Sequence, residues 1–509
     1  EALSYPFDAA PPQYSHLREF IAQWKKSIPG RFVPAAKATF DQAQLFNYSR
    51  AVLLAHEDKS FTGAIVASLG IPWGADAGDS DGGYHLVWPR DMCQSATALL
   101  ATGEIDVPLR ALMYLATSQS PDGRFHQKFY VNGQPLPFDA QQLDEYSFPI
   151  ILAYRLKKAG ALQSFQPRAM ALAAAGALIA DGPMSQQERW EENEGYSPST
   201  LASNIAALVC AANFAAEQDH ETAQFLLEYA DFLESQIEAW TVTTQGSIVP
   251  GIPRHYIRLL PTAVKGSTRN PTLAEDPNTA KLFIGNRGVE LPARDVVDGG
   301  FLELVRYGIR PPGDPLIEDT LKVIDASLRD ILPGNYPCWR RYTSDGYGQR
   351  DDGGSFANTG VGRPWPLLTG ERAHYELAAG RDVTTYVRAM ESFAGERRLL
   401  TEQLWNAPDL PGASPPLVFG KPTGSAMPLA WAHAEYIRLV RSISDGRVFD
   451  LVDIVADRYL KPHAPSPLEI WNFDRQVQVI ARGKKLRIPL TSAFRLRWST
   501  DGWATAQEK

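Results

Sequence analysis

Apolar residues recur with helical spacing along most of the chain, from about residue 40 to residue 460. A typical stretch begins at Leu201 and continues with Ile205, Leu208 and Val209, at spacings of about four, seven and eight residues that keep all of them on one helix face. This periodicity predicts an all-α domain.

The predicted helices are of two kinds, and the two kinds alternate. Six follow directly after loops rich in polar or aromatic residues, at 88–91, 142–145, 190–200, 298–300, 365–371 and 428–431. Six are plainer amphipathic segments, near 40–57, 106–118, 164–180, 219–240, 315–331 and 382–398. Because helices joined by short loops pack antiparallel, the alternation predicts an (α/α)6 barrel with six inner and six outer helices. The loops that precede the inner helices would then share one rim.

The remaining segments lack this periodicity. Residues 1–39 contain a proline-rich start and one helix-like run, which predicts a linker segment that leads into a catalytic domain at 40–460. Residues 241–297 are rich in Gly, Pro and Asn and predict a long excursion that forms a lid or pocket wall. Residues 461–509 predict a small β-rich C-terminal extension, with a hairpin around 482–485.

Composition narrows the class of protein. The 509 residues are 44% hydrophobic and 21% charged, which is typical of globular proteins, and the net charge of −8 excludes a basic nucleic-acid or anionic-membrane surface. No apolar run is long enough to span a bilayer. Three distant cysteines indicate neither a disulfide framework nor a zinc site. The chain starts at Glu1 rather than Met, which favours a processed N-terminus.

A cluster of carboxylates lies at 191–194, directly after Trp190. These residues could be an exposed acidic helix entry, because negative charge is favourable at a helix N-terminus. Alternatively, Trp190 could stack a sugar ring and desolvate Glu191, which raises the pKa of a carboxyl group towards the range of a general acid.

Two further sites carry candidate chemistry. Glu371 follows Gly370 and precedes Arg372, which would keep a neighbouring carboxylate ionised, as a general base requires; the alternative is an ordinary charged pair at a helix start. Arg90 and Asp91 follow Trp88 and offer paired donors and acceptors for sugar hydroxyls; the alternative is a structural ion pair that caps the next helix.

Several motifs together resemble a known family, in order along 40–460. They are Gly-Gly-Tyr-His-Leu-Val-Trp-Pro-Arg-Asp at 82–91, Gln-Leu-Asp-Glu at 142–145, Arg-Trp-Glu-Glu and Gly-Tyr-Ser-Pro-Ser-Thr within 189–200, Phe-Leu-Glu-Leu-Val-Arg at 301–306, Trp-Pro-Leu-Leu-Thr-Gly-Glu-Arg at 365–372 and Trp-Ala-His-Ala-Glu-Tyr at 431–436. This set resembles the bacterial glucoamylases and glucodextranases of glycoside hydrolase family 15. The fold of that family is an (α/α)6 barrel, in agreement with the helix pattern.

The resemblance implies roles for individual residues. It implies that Glu191 is the general acid and Glu371 the general base of an inverting hydrolase that removes β-D-glucose from the non-reducing ends of α-1,4-glucans. The expected substrate-binding residues are Arg90, Asp91, Trp88, Trp190, Glu192, Arg306 and Trp339. Asn193 and Glu194 depart from the residues usual in the family, which indicates a changed rim beside the acid.

Other functions stay open at this point. A glucodextranase-like enzyme would cleave α-1,6 bonds with the same motifs, a phosphorylase would replace the base by a phosphate site, and a non-catalytic glucan-binding protein could lose either carboxylate. The hydrolytic mechanism needs no cofactor, and a structural calcium ion is a further possibility without a recognisable ligand loop. The expected partner is an oligo- or polysaccharide. We expect a secreted or periplasmic protein that is monomeric or associated with an N-terminal β-sandwich region.

Overall fold

The architecture follows from a computed structural model that describes residues 32–74, 83–137, 140–262, 276–462, 466–472, 480–490 and 492–509, together with Glu19 and Val477. Of the linker segment predicted at 1–39, residues 1–31 therefore lie outside the described residues, apart from Glu19. The first residue of the 82–91 motif and residues 263–275 of the predicted excursion lie outside them as well.

The described residues form thirteen α-helices in two alternating sets. They are α1 (Gln44–His56), α2 (Pro89–Ala101), α3 (Asp106–Ser118), α4 (Leu143–Lys158), α5 (Arg168–Asp181), α6 (Pro198–Ala215), α7 (His220–Thr241), α8 (Leu302–Arg306), α9 (Pro315–Leu328), α10 (Pro366–Ala378), α11 (Thr384–Phe393), α12 (Ala430–Asp445) and α13 (Asp453–Tyr459). All twelve predicted helices are present, and α13 follows the last of them.

The even-numbered helices close a ring. Helix α2 packs against α4, α4 against α6, α6 against α8, α8 against α10, α10 against α12, and α12 returns to α2. These inner helices are buried on nearly every side; in α6, every residue except Asn213 is buried. Small residues such as Ala202, Ala206 and Ala211 allow this close approach between helices, which explains why the inner segments are rich in alanine.

The odd-numbered helices surround this ring. Helices α3, α5 and α11 each pack against the two inner helices that flank them in sequence, α1 packs against α12 and α2, and α7 packs against α6. Helix α9 packs mainly against a strand of the excursion, because its inner neighbour α8 has only five residues. The fold is therefore the predicted (α/α)6 barrel.

Several inner helices begin with proline, which fixes where they start. Pro89, Pro198 and Pro366 each occupy the first helical position, where the absent N–H group costs nothing. Trp88 and Trp365 are the residues before two of these prolines and keep an extended backbone. The side chains that precede and open the inner helices are thereby directed towards one end of the barrel.

Short strands form two-stranded sheets in the connections. They are β1 (Gly195–Tyr196), β2 (Val242–Thr243), β3 (His255–Tyr256), β4 (Leu260–Pro261), β5 (Lys281–Ile284), β6 (Val289–Pro292), β7 (Arg329–Leu332), β8 (Tyr336–Trp339), β9 (Leu468–Ile470), β10 (Lys485–Arg487), β11 (Arg497–Trp498) and β12 (Gln507–Glu508). Strands β1 and β4, β2 and β3, β5 and β6, β7 and β8, and β11 and β12 pair antiparallel. The excursion at 241–297 thus joins the barrel through β4, which pairs with the loop that enters α6.

The C-terminal extension differs from the prediction in its pairing. A turn closes at Lys484, whose amide donates to the carbonyl of Ala481, but β10 then pairs in parallel with β9 rather than across that turn. Strand β9 packs on α7, and Arg487 forms an ion pair of 2.6 Å with Glu228 of that helix. Part of the segment before the turn lies outside the described residues.

In the described part of the chain, no helix is long and apolar enough to cross a membrane. Cys93, Cys210 and Cys338 are free and buried.

Candidate active site

A cavity of about 320 Å³ lies at the end of the barrel where the inner helices begin. Arg90 and Asp91 reach it from the first turn of α2, Trp365 from the residue before α10, and Trp431 from the first turn of α12. The described residues that line it are Ala67, Tyr84, Trp88, Arg90, Asp91, Lys128, Arg189, Trp190, Glu191, Glu192, Arg341, Tyr347, Trp365, Glu402, Leu429 and Trp431. Residues from distant parts of the sequence meet here, as loops that precede inner helices should.

Arg90 is the central cation of the cavity wall. Its guanidinium donates to Gln142 at 2.9 Å, to Asp144 at 3.2 Å and to Glu191 at 3.2 Å, and its Nε lies 3.2 Å from Asp91. Burial raises the pKa of Asp91 to about 6, although Arg90 opposes the shift. The predicted pair of Arg90 and Asp91 therefore lies in the cavity, with polar atoms available to sugar hydroxyls.

Glu191 occupies an unusual backbone conformation, with φ at +65°. Such a conformation is costly for a residue other than glycine and is found mainly where the surrounding structure holds it for a purpose. Arg90 donates to one carboxylate oxygen, while Gln127 donates to the other at 2.7 Å and the Lys128 ammonium lies 3.5 Å from it. Its side chain is 27% exposed, so Glu191 is held on both oxygens yet open to the cavity.

Glu192, the next residue, points to a different set of partners. Its carboxylate accepts hydrogen bonds from Arg341 at 3.1 Å, from Asn286 at 2.5 Å and from the hydroxyl of Tyr342, and Arg258 lies 3.5 Å away. Burial raises its pKa, and Arg341 and Arg258 oppose that shift.

The excursion therefore supports the acid loop from behind. Asn286 lies in the β5–β6 turn, and Arg258, between β3 and β4, also pairs with Glu188 at 2.5 Å. No described residue of 241–262 or 276–297 lines the cavity itself. For these described residues the prediction of a pocket wall is wrong, because their polar side chains hold the loop that carries Glu191 and Glu192; residues 263–275 of the predicted lid or pocket wall lie outside the described residues.

Trp88 and Trp190, which were expected to bind substrate, both line the cavity. The Lys128 ammonium lies 5.1 Å from the centre of the Trp88 ring. Trp190 is only 4% exposed, and its indole N–H donates to Asp298 at 3.2 Å, while the Arg189 guanidinium covers the ring at 4.4 Å. Most of the Trp190 ring is therefore covered by protein, and the part that remains forms cavity wall.

Glu371 does not line this cavity. Its two oxygens accept hydrogen bonds from Arg189 at 3.0 and 3.1 Å, and Glu303 lies 3.4 Å from the same guanidinium. The physical reason is its position in the helix: Glu371 follows Pro366 by five residues, which places it roughly 7.5 Å below the rim at 1.5 Å per residue. Arg372, expected to hold Glu371 ionised, pairs instead with Asp325 and Glu376, each at 2.7 Å.

Arg306 and Trp339 also lie away from the cavity, contrary to the prediction. Arg306 ends α8 inside the barrel and pairs with Glu435 at 2.9 Å and with Asp450 at 2.5 Å. Trp339 is buried against α11, where it stacks on Tyr386 with ring centres 6.2 Å apart. Arg306 therefore forms ion pairs within the barrel, and Trp339 packs against an outer helix.

Glu402 is a further carboxylate that the structure places in the cavity, beside Asp91, Glu191 and Glu192, and that sequence reasoning missed. It accepts hydrogen bonds from the hydroxyl of Tyr84 at 2.7 Å and from that of Tyr347 at 3.4 Å, and the two hydroxyls are 2.6 Å apart. Burial raises the pKa of Glu402 to about 7, and these hydroxyl donors oppose the shift. The only signal in the sequence is a single acidic residue within the otherwise uncharged run at 399–405.

Arg341 was missed as well, two residues after the predicted Trp339. It pairs with Asp345 at 2.8 Å and with Glu192 at 3.1 Å, and it lies 4.7 Å from the ring centre of Tyr347. A buried arginine that retains contact with the cavity can donate to a bound hydroxyl group. The pair of arginines at 340 and 341 was its signal.

The described residues contain no group of three or more His, Cys, Asp or Glu side chains arranged to hold a metal ion.

Comparisons with known proteins, by family, by sequence and by structure, agree with one another. Residues 43–441 match the model of the family described as Glycosyl hydrolases family 15. The glucoamylase of Clostridium sp. (strain G0005) is 39% identical over 466 residues, which are 90% of this chain and 61% of that protein. A bacterial glucoamylase solved in complex with acarbose is 39% identical with a TM-score of 0.76, over 88% of this chain and 62% of that one.

A more distant structure shares the fold alone. The glucoamylase of Hormoconis resinae is 16% identical with a TM-score of 0.53, over 80% of this chain and 75% of its own. The chain thus spans about three fifths of the length of the two bacterial glucoamylases that it matches.

Proposed function

This chain belongs to glycoside hydrolase family 15, and we therefore propose that it is an exo-acting, inverting hydrolase that releases β-D-glucose from the non-reducing ends of α-1,4-glucans such as starch and maltooligosaccharides. The observation that carries the proposal is that Glu191 and Glu402, from two different loops, line one cavity. An inverting glycosidase needs such a pair, with one carboxyl as acid and the other as base.

We assign the acid to Glu191. It is the carboxyl group that Arg90, Gln127 and Lys128 orient while it stays open to the cavity. In its protonated form it would give its proton to the glycosidic oxygen as the bond breaks. This is the role that the resemblance implied.

We assign the base to Glu402 in place of Glu371. A general base works best when its pKa lies near the working pH, and burial brings the pKa of Glu402 to about 7. The hydroxyls of Tyr84 and Tyr347 fix its orientation. Glu402 would take a proton from the water that attacks the anomeric carbon on the face opposite the leaving group, which inverts the configuration.

The terminal glucose would be held by the polar groups around these carboxylates. Arg90, Asp91 and Arg341 offer donors and acceptors within the wall, and Trp88, Trp365 and Trp431 offer ring faces. Below Arg189 the barrel interior is filled by the buried carboxylates of Glu371 and Glu303. A glucan can then enter only by its end, which supports exo action.

The preference for α-1,4 or α-1,6 bonds is determined by other residues, because the groups that hold the terminal glucose do not contact the next sugar. The similarity to bacterial glucoamylases supports cleavage of α-1,4 bonds. Of the residues expected at the rim, Glu192 lines the cavity and is the one that would meet the next ring. A misplaced ring forfeits one stacking contact and one or two hydrogen bonds, or about 2 to 4 kcal/mol, which corresponds to roughly 30- to 1000-fold in kcat/KM.

The experiment that tests this function compares kcat/KM for maltotriose and isomaltotriose, with glucose release followed for the wild-type chain and for Glu191→Gln. We expect maltotriose to be the faster substrate and the variant to be nearly inactive on both. A faster reaction with isomaltotriose would make the protein a glucodextranase-like enzyme, and no glucose from either substrate would refute the hydrolase proposal.

Two further expectations belong with this proposal. Proton transfer between two carboxyl groups and water needs no cofactor, so we propose activity without an added metal ion. A polymeric substrate would be met outside the cytoplasm, so we propose that the protein is secreted or periplasmic.

A further inference from the structure

Three glutamine side chains connect Arg90 to Glu191 behind the cavity wall. The Arg90 guanidinium donates to the side-chain carbonyl of Gln142 at 2.9 Å. The Gln142 amide donates to the carbonyl of Gln187 at 2.9 Å, and the Gln127 amide donates to that same carbonyl at 3.2 Å. Gln127 also donates to Glu191 at 2.7 Å, and Arg90 donates to the other oxygen of Glu191, so the hydrogen bonds form a closed ring.

The direction of the bonds in this ring is fixed at Arg90, whose guanidinium can only donate, so Gln142 turns its carbonyl oxygen to Arg90 and its NH₂ group to Gln187. The carbonyl oxygen of Gln187 can only accept, and it accepts from two amide groups at once. The NH₂ groups of Gln127 and Gln142 must therefore both face Gln187. The NH₂ group of Gln127 then also faces Glu191 as a donor.

The orientation of Gln127 matters for a carboxyl group that must exchange a proton. An NH₂ group favours the ionised carboxylate, whereas a carbonyl oxygen in its place would favour the protonated carboxyl. Gln127 and Gln142 are 6% and 1% exposed, so the surrounding protein restrains both amides. Gln187 is half-buried and does not line the cavity, so it would act on Glu191 only through its neighbours.

We propose that Gln187 is a positioning residue that fixes the amide of Gln127 and thereby the orientation and proton affinity of Glu191. This inference rests on the proposed role of Glu191 as the general acid. Without the carbonyl of Gln187, the Gln127 amide loses one of the acceptors that hold its NH₂ group, and a turned amide would present its own carbonyl oxygen to Glu191. The carboxyl group would then hold its proton more tightly and be less well placed.

Gln187 carries no charge, so its replacement leaves the set of charged groups around Glu191 unchanged. Arg90 and Lys128 contact the carboxylate from α2 and from the segment after α3, and they favour its ionised form. Asp91 and Asp144 face it from α2 and α4, and a negative charge on either opposes ionisation. The hydroxyl of Tyr347 faces it from the loop after β8 and stays neutral, because burial raises its pKa. Replacement of Gln187 therefore tests its role while the charged groups around Glu191 remain the same.

The test uses Gln187→Met, which preserves length and removes the carbonyl acceptor, with Gln186→Met as the matched control one residue away. We expect Gln187→Met to lose about 10-fold in kcat/KM on maltotriose. We also expect the alkaline limb of its pH profile, which reports the general acid, to move up by about half a pH unit or more. Gln186→Met should leave both quantities unchanged.

Two comparisons separate positioning from a merely structural role. Hydrolysis of α-glucosyl fluoride needs little protonation of the leaving group, so Gln187→Met should lose much less on this substrate. In a Gln127→Met background, the change at 187 should add less, because its direct route to Glu191 is cut and only the longer route through Gln142 and Arg90 remains. Neither the ratio of kcat/KM on the two substrates nor the position of the alkaline pH limb depends on the fraction of protein that is folded.

The inference is overturned if Gln187→Met leaves the alkaline limb in place, loses both substrates equally, or has the same effect with and without Gln127. Failure of the proposed function would look different. In that case Glu191→Gln would retain wild-type activity on maltotriose, or the wild-type chain would release no glucose.

Discussion

Replacement of Glu402 by Gln tests which carboxylate activates water. The substitution preserves the size of the side chain and an oxygen that can accept from the Tyr84 hydroxyl, but it removes the ability to take a proton. A general base typically contributes about 10² to 10⁴-fold to the rate, or about 3 to 5 kcal/mol of transition-state stabilisation. We therefore expect kcat/KM on maltotriose to fall by about 10² to 10⁴-fold with little change in stability.

Glu371→Gln is the matched control, because sequence motifs alone favour Glu371 as the base. Glu371 makes two hydrogen bonds to Arg189, and its loss would leave that buried guanidinium beside Glu303. Breaking a buried ion pair costs about 3 to 5 kcal/mol when nothing replaces the missing charge.

Glu303 can replace part of that charge. Burial raises its pKa to about 8, and repulsion from Glu371 contributes to the shift while Arg189 opposes it. Without the charge of Glu371, Glu303 ionises more readily and pairs with Arg189. We therefore expect Glu371→Gln to lose about 1 to 3 kcal/mol of stability and less than about 10-fold in kcat/KM.

The assay is steady-state hydrolysis of maltotriose by both variants, with urea unfolding of each to measure stability. The opposite pattern, in which Glu371→Gln is folded but inactive while Glu402→Gln retains most of its rate, would refute this assignment and restore Glu371 as the base.

Three further predictions follow from the same geometry. Glu191→Gln should slow maltotriose hydrolysis by orders of magnitude but spare α-glucosyl fluoride more, since fluoride leaves with little protonation; equal losses in steady-state assays of both substrates would contradict the acid role. Tyr84→Phe removes a donor that lowers the pKa of Glu402, so the acidic limb of kcat/KM against pH should move to higher pH, and a limb that stays in place would separate it from Glu402. Burial raises the pKa of Glu303 in the folded protein to about 8, so the folded protein keeps a proton that the unfolded chain releases near pH 4.5, and stability falls as pH rises between those values. Glu303→Gln should therefore be more stable than the wild type by a few kcal/mol in urea unfolding above pH 8, and little more stable below pH 4.5. An equal stability difference at both pH values would show that the pKa of Glu303 is not raised.

The helices could be predicted from the sequence because their apolar residues recur with helical spacing, and the inner helices also follow distinct loops. Even α8, with five residues, was predicted as an inner helix, because its loop at 298–300 fits the alternation. The pairing of β10 with β9 could not be predicted, since a turn signal does not specify which strand is the partner.

Site residues could be predicted only where a recognisable sequence motif also lies on backbone that reaches the cavity. Arg90 and Asp91 lie in the first turn of a helix that Trp88 precedes, and Glu191 follows Trp190 in the loop before α6; these positions bring them to the cavity. Glu371 lies in an equally distinctive motif, but helical rise takes it below the rim into a buried ion pair. Glu402 reaches the cavity from a loop with no periodicity, and only tertiary packing against Tyr84 reveals it.

The central claim is that one carboxyl group protonates the leaving oxygen while a second activates water for a single displacement, and it is tested most directly by the anomeric form of the first product. Proton NMR during the first minutes of maltotriose hydrolysis distinguishes β-glucose from α-glucose before the two interconvert. We expect β-glucose to appear first. Initial release of α-glucose would contradict the inverting mechanism and the pairing of Glu191 with Glu402.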